Sequence, residues 1–344
     1  MTKLRPTMAD IAEVANVSKM TVSRVLNKKP GVAEHTRQRI LEVADELGYT
    51  LQSPYHGSDV NVIALLIPNH PTVYLGEVLN GISQAAEQLN CGLMLYTRNM
   101  FQQAVESDNS LSPLRAGLVD GAVVIVPQDY QEVITHLTRF ELPFVLIDHH
   151  SEAENEASVT ATNRRGMLEA TRYLLALGHR RIGFITGRMD IACSHERLEG
   201  YREGLAEVGL MMEEDLIREG DFMQPSGFEH TKDLMKMKNP PTALLVSNDM
   251  MAYGALEATR LLGLTVRQDV SIIGFDDVFL SSQTYPPLTT VRQPLARMGE
   301  TALDMLIDLI QDRRVLNQRR QLPTELIVRE TTGPVSTEKG FQSY

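Results

Sequence analysis

Lys19, Met20, Thr21, Ser23, Arg24 and Asn27 fall within nine residues near the start of a 344-residue chain. Their types suit contact with a nucleic acid. A lysine donates to guanine O6 and N7, and a methionine touches a thymine methyl. Thr21 and Ser23 carry short hydroxyls that reach phosphate oxygens, which position a protein on a duplex without reading it. Arg24 suits either task. Elsewhere the reactive types combine poorly. His149 and His150 are adjacent, so they point apart in a strand or helix and do not converge on a metal. Asp276 and Asp277 have the look of an acid/base pair, but one helix cap and one ligand contact is the better reading. There is no nucleotide fingerprint, metal spacing or nucleophile triad, so catalysis is not expected.

Side chains of the first group act on DNA only if a short helix holds them outward. Ile11, Val14 and Ala15 recur at helical spacing and predict a first helix with one apolar face. Asn16 tolerates the left-handed turn needed next, and Val17 can plug the space behind it. Ser18 is a good N-cap for a second helix over residues 19–26. There Val22, Val25 and Leu26 turn inward. A third helix is expected over residues 34–47, with Ile40, Leu41, Val43, Ala44 and Leu47 apolar, Ala33 a weak cap and Gly48 a stop. Residues 1–29 carry six basic and two acidic groups. A basic-tipped helix-turn-helix is the expected result.

The chain is 43% hydrophobic, enough for a real core, and its formal net charge is −11. That total would argue against nucleic acid, but the distribution reverses it. Residues 1–50 hold eight basic and six acidic groups; the remainder holds 25 basic and 38 acidic. Such a molecule docks on DNA head first. The two cysteines, Cys91 and Cys193, give neither a disulfide framework nor a zinc site. No apolar run follows the first residues and none approaches a membrane span, so a cytoplasmic protein without membrane contact is expected.

From residue 61 short apolar runs alternate with amphipathic stretches. Strands are predicted at 62–67, 92–96, 121–126, 144–147, 181–186, 243–246 and 271–275, with a helix over 74–90 among the stretches between them. Apolar on both faces, they indicate parallel sheets covered by helices. The length to about 330 implies two similar lobes. Ligands bind at the carboxyl ends of such strands, which picks out residues 68–74, Asp148, residues 187–197, residues 247–249 and residues 276–277. These are hydrogen-bonding groups suited to vicinal hydroxyls, with Phe222 or Tyr74 to supply an aromatic face. Asp249 is read as structural, because it precedes a helix.

Residues 7–49 resemble the headpiece of the lactose/galactose repressor (LacI/GalR) family, with its pattern Thr-x-x-Asp-Ile-Ala, Val-Ser and Thr-Val-Ser-Arg-Val-Leu-Asn. Asn16 stands where that family usually has glycine. The Lys19-Met20 pair resembles that of gluconate-type repressors. Further landmarks match over residues 61–330: Arg180 to Ile185, Glu196 to Tyr201, Ser247-Asn248-Asp249, Ile273 to Asp277, and Pro287 to Gln293. The resemblance implies an all-α headpiece (1–50), a linker (51–60), a two-lobed α/β effector domain like the periplasmic sugar-binding proteins (61–332), and a tail (333–344). It places Asp148, Arg197, Phe222, Asn248, Asp276 and Gln293 at sugar-contacting positions, with Tyr74 added from the strand-end reading. The partners implied are a double-stranded palindromic operator, a small sugar-like effector and a second copy of the chain, with no cofactor. The function implied is a repressor of carbohydrate-utilisation genes. A nucleoside, a sugar acid or a phosphoprotein partner remains an alternative signal, as does a ligand-binding protein with little DNA activity. The linker departs from the family: it lacks Ala-Arg and the following Leu, and Pro54 and Gly57 disfavour a helix. It is expected to be an extended tether, the alternative being that Leu51 or Tyr55 replaces the usual minor-groove wedge. The tail has no leucine heptad, so a dimer rather than a tetramer is expected.

Overall fold

The computed structural model describes residues 8–26, 32–47, 61–69, 72–100, 118–125, 130–139, 141–149, 156–311 and 318–335. The head is three helices: α1 (Met8–Val14), α2 (Lys19–Leu26) and α3 (Glu34–Glu46). Ile11, Val22 and Ile40 are fully buried at their junction, with Ala12, Ala15, Val25, Val43 and Ala44 around them. Asn16 takes the left-handed turn, with φ of 53°, and Val17 is half-buried against the core. The Ser18 Oγ accepts from the Thr21 amide at 3.1 Å, capping α2 as its sequence predicts. α3 has no side-chain cap at Ala33. One expectation fails: Val14 is 49% exposed. The buried arc of α1 runs through Ile11, Ala15 and Ala12, and Val14 lies beyond its edge. Asn27, Gly48 and the linker at 51–60 lie outside the described residues, as do the side chains of Met20, Ser23 and Leu26.

Among its described residues the body has strands β1 (Val62–Ile67), β2 (Gly92–Thr97), β3 (Gly121–Ile125), β4 (Phe144–Ile147), β5 (Ser158–Ala161), β6 (Ile182–Thr186), β7 (Ile217–Glu219), β8 (Ala243–Val246), β9 (Ser271–Asp276), β10 (Thr289–Arg292), β11 (Arg319–Leu322) and β12 (Glu325–Ile327). They form two six-stranded sheets, the first in the order β11-β5-β4-β3-β1-β2 and the second β12-β10-β9-β8-β6-β7. Pairing is parallel except between β10 and β12. The central strands are buried throughout, as their Val- and Ile-rich sequences require when both faces are covered.

The helices of the body include α4 (Val73–Leu89), α5 (Tyr130–Arg139), α6 (Asn163–Ala176), α7 (Ala192–Glu207), α8 (Gln224–Met235), α9 (Asp249–Leu261) and α10 (Leu295–Ile310). The chain passes between lobes three times: at Thr162, at Gln293-Pro294 and at Pro323-Thr324. After the first passage α6 packs in the second lobe's core, and after the second α10 packs in the first lobe's core. The α4–α10 contact is close enough that a Cβ on Gly81 would sit 1.8 Å from the Ala296 carbonyl oxygen. Two passages are tied side by side, since the Thr324 amide donates to Thr162 Oγ1 at 2.9 Å. The second lobe extends past residue 332: the Gly333 carbonyl accepts from the buried His179 ring at 3.0 Å, and the Val335 amide donates to Leu177.

Candidate functional site

Strands β1, β4, β6, β8 and β9 end at a cleft between the lobes, around a cavity of about 540 Å³. Tyr74 and Asp148 line it from the first lobe; Arg197, Phe222, Asn248 and Asp276 line it from the second. The backbone is forced at three of these positions. Asp148, Phe222 and Asp276 have φ of 57°, 67° and 114°, a region that residues with a Cβ rarely occupy.

Asp148 follows β4 and is 4% exposed. The Tyr74 hydroxyl donates to its Oδ2 at 2.5 Å, while Oδ1 is buried without a hydrogen-bond partner. Burial pushes the Asp148 carboxyl above its ordinary range, against the opposing pull of Arg197. Burial, then the Asp148 charge, raises the Tyr74 hydroxyl well above its usual value. Arg197 projects from α7 and is 2% exposed. Its Nε and Nη2 both donate to Asn163 Oδ1, at 3.0 and 2.9 Å, and Nη1 donates to the Ser247 carbonyl. The guanidinium carbon sits 3.8 Å over the Phe275 ring.

Asp276 accepts from Gln293 Nε2 at 2.7 Å. Burial lifts its carboxyl well above the usual range, Arg197 opposing and the Asp249 charge adding. Gln293 itself does not line the cavity. It occupies the second passage between lobes and holds Asp276 from behind. Asn248 caps α9: its Oδ1 accepts from the Met251 amide at 2.9 Å, and its Nδ2 donates to the Phe222 carbonyl at 3.0 Å. Phe222 lies against Gly187, where a Cβ would fall 1.9 Å from the ring's Cζ.

The two remaining carboxylates are structural. Asp249 is fully buried and accepts from the Val278 amide, the Ser281 hydroxyl and the Thr290 hydroxyl at 3.1, 2.5 and 2.6 Å. Its role is as expected, although the cap of α9 is its neighbour Asn248. Burial pushes Asp249 up to about 7. Asp277 is no cap; it pairs with Arg292 and Arg329 at 2.7 and 2.6 Å. Cys193 and Ile191 complete the wall beside Arg197, both within the segment flagged by its place after β6. Burial lifts the Cys193 thiol to about 12, so it is an apolar wall element rather than a nucleophile. Sequence reasoning missed Asn163. Nothing local marks an asparagine at the start of α6 as the partner of an arginine 34 residues away.

On the head, Lys19 and Arg24 are exposed and Thr21 is half-buried, its hydroxyl 2.8 Å from that of Ser18. Among the described residues no three His, Cys, Asp or Glu side chains converge as metal ligands, and no helix is long and apolar enough to cross a membrane.

Residues 7–52 match the family described as bacterial regulatory proteins, lacI family, and residues 171–332 match the periplasmic binding protein-like domain. The HTH-type transcriptional repressor PurR of Aliivibrio salmonicida is 31% identical over 329 residues, covering 94% of this chain and 98% of that protein. The HTH-type transcriptional regulator DegA of Bacillus subtilis is 31% identical over 340 residues, covering 97% and 100%. Among solved structures, the transcriptional regulator CelR–cellobiose complex matches with a TM-score of 0.74 at 28% identity, over 95% of this chain and 100% of that one. The lac repressor dimer bound to operator and the anti-inducer ONPF matches with a TM-score of 0.72 at 29% identity, over 96% and 100%.

Proposed function

This chain belongs to the lacI family of bacterial regulatory proteins, and we propose that it is a homodimeric repressor whose hold on a palindromic operator is set by a sugar-like effector in the cleft. DNA binding and transcriptional control come with the family. The observation that carries the effector reading is that the cavity walls come from both lobes. Tyr74 and Asp148 stand on one side, and Arg197, Phe222 and Asp276 on the other. A ligand touching both sides binds one lobe angle better than another, and only such a difference can shift the equilibrium. Two second-lobe groups also reach the passages: Arg197 through Asn163, and Asp276 through Gln293.

In the head, Lys19 and Met20 read bases, Thr21 and Ser23 hold phosphates, Arg24 serves either task, and Asn27 adds a further DNA contact. Two heads are needed for a two-fold operator. Exposed apolar side chains supply a surface for pairing: Leu93 and Leu95 on the edge strand β2, and Phe279, Leu280 and Tyr285 after β9. The solved complex of CelR with cellobiose supports a sugar as effector, and the lac repressor dimer bound to operator supports a dimer on DNA.

The test is a gel shift on DNA upstream of the protein's own gene, with and without sugars. Lys19→Ala is expected to reorder operator preference, and Thr21→Ala to weaken all operators alike. An unchanged ranking in Lys19→Ala overturns the base-reading assignment. Equal binding to random DNA overturns the whole reading.

A further inference from the structure

Asn163 is 1% exposed and opens α6 directly after the first passage between lobes. Its side chain is spent away from its own helix. Oδ1 accepts from Arg197 Nε and Nη2 at 3.0 and 2.9 Å. Nδ2 donates to Glu196 Oε2 at 2.9 Å and to the Ala161 carbonyl at 3.3 Å. An amide has two acceptor sites and two donor hydrogens, and all four are occupied. A flipped amide would set N–H groups against the guanidinium and its oxygen against a carboxylate, so one orientation is fixed. Ala161 ends β5 in the first sheet, while Arg197 lines the cleft from α7. A continuous run of bonds therefore leads from the cavity wall, through the passage, to the first lobe. Gly200 brings the helices close enough for this: a Cβ there would fall 2.1 Å from the Arg164 carbonyl oxygen.

A buried guanidinium is ordinarily matched by a carboxylate. Behind Arg197 the acceptors are neutral, namely Asn163 Oδ1 and the Ser247 carbonyl. The acids that act on it, Asp276 and Asp148, stand on the cavity side, and Arg98 lines the same cavity from the first lobe. An aspartate at position 163 would neutralise the guanidinium from behind and confront the Glu196 carboxylate with a like charge. With the amide in place, positive charge is felt at the cavity wall. Burial raises the Cys193 thiol and the Asp148 and Asp276 carboxyls, and Arg197 opposes that rise in all three.

We propose that Asn163 is the positioning residue for Arg197: its amide aims the guanidinium at the cleft, leaves the charge unneutralised, and ties that aim to the first passage between lobes. The residue touches no ligand and acts only through Arg197. Its regulatory meaning rests on the cleft being the effector site.

Cys193 supplies a probe for the experiment. It lies four residues before Arg197 on the same face of α7 and lines the cavity. In a Cys91→Ser background it is the only thiol of the full chain. That protein is reacted with neutral dithiodipyridine and with anionic dithiobis-nitrobenzoate, and the ratio of the anionic to the neutral rate is taken. Both reagents consume the same thiolate, so thiolate fraction cancels in the ratio while local charge does not. Asn163→Asp is expected to lower the ratio about fivefold, to the value given by Arg197→Met. Asn163→Ser, gentler on folding, is expected to lower it about twofold. Adding Asn163→Ser to Arg197→Met is expected to lower it no further. A merely structural role would loosen the site, raise both rates together and leave the ratio at the parent's value; that result overturns the proposal. So does an unchanged ratio in Arg197→Met. No effector takes part, so a negative result leaves the effector reading to be judged by the gel shift with sugars.

Discussion

At the scale of single residues, the cleft contains polar groups that serve the fold and the ligand together. Arg197 is the clearest. It bridges Asn163 on α6 to the end of β8 while lining the cavity. Arg197→Met keeps the length of the side chain but leaves the Asn163 and Ser247 oxygens without their donor. The expected loss is about 2–4 kcal/mol of stability, read by urea denaturation, together with loss of the effector-induced thermal shift. A variant as stable as the parent would show that those bonds contribute little. Asp148, Asn248 and Asp276 were legible as cleft residues because each follows a predicted strand, whereas Phe222 was placed by likeness to the family. Gln293 was placed at the ligand by likeness alone. Its amide instead meets Asp276 across 17 residues of chain, a proximity that no local pattern carries.

At the scale of elements, the head and the central strands were readable because their cores are local. α2 begins and ends where its cap and apolar spacing predict. The edge strand β2 was readable, but β5, β7, β10, β11 and β12 were not. β11 is Arg-Arg-Gln-Leu, exposed along most of its length, and its partner β5 lies 161 positions earlier. β5, β7 and β12 are also short, and a run of three or four residues shows too little alternation to be recognised. The head's small core makes a sharp prediction. Ile11 is fully buried among about a dozen side chains. Ile11→Ala is expected to cost about 2–4 kcal/mol, more than a three-helix unit of this size can spare. Operator binding should be lost in a gel shift while the body's thermal response to effector persists. Ser18→Ala should act more gently, removing about 1 kcal/mol of α2 stability and weakening the operator complex without abolishing it.

At the scale of the whole molecule, buried acids link stability to pH. Asp249 is raised to about 7 by burial, and Asp276, which interacts with it, is raised as well. A carboxyl with a higher pKa folded than unfolded binds its proton more tightly in the folded state. The resulting stabilisation is full below the unfolded value near 4 and is lost as pH rises through about 7. The melting temperature is therefore expected to fall between pH 5 and pH 8, and Asp249→Asn to flatten that slope. A parent protein no steeper than the variant over this interval would rule out the linkage. The pair titrates as a unit, so the slope belongs to both acids.

The threefold passage between the lobes has a consequence for cutting the chain. With α6 and α10 each anchored in the lobe opposite the strand that precedes it, no contiguous stretch of sequence encodes either lobe free of the other's elements. A protease that nicks one connecting strand leaves two others intact, so the halves stay joined under native conditions. Of gene fragments split at residue 162, the first lacks β11 and α10 of its own lobe, while the second carries its whole sheet with β11 and α10 left without their partners; ligand binding should return only when the two are expressed together.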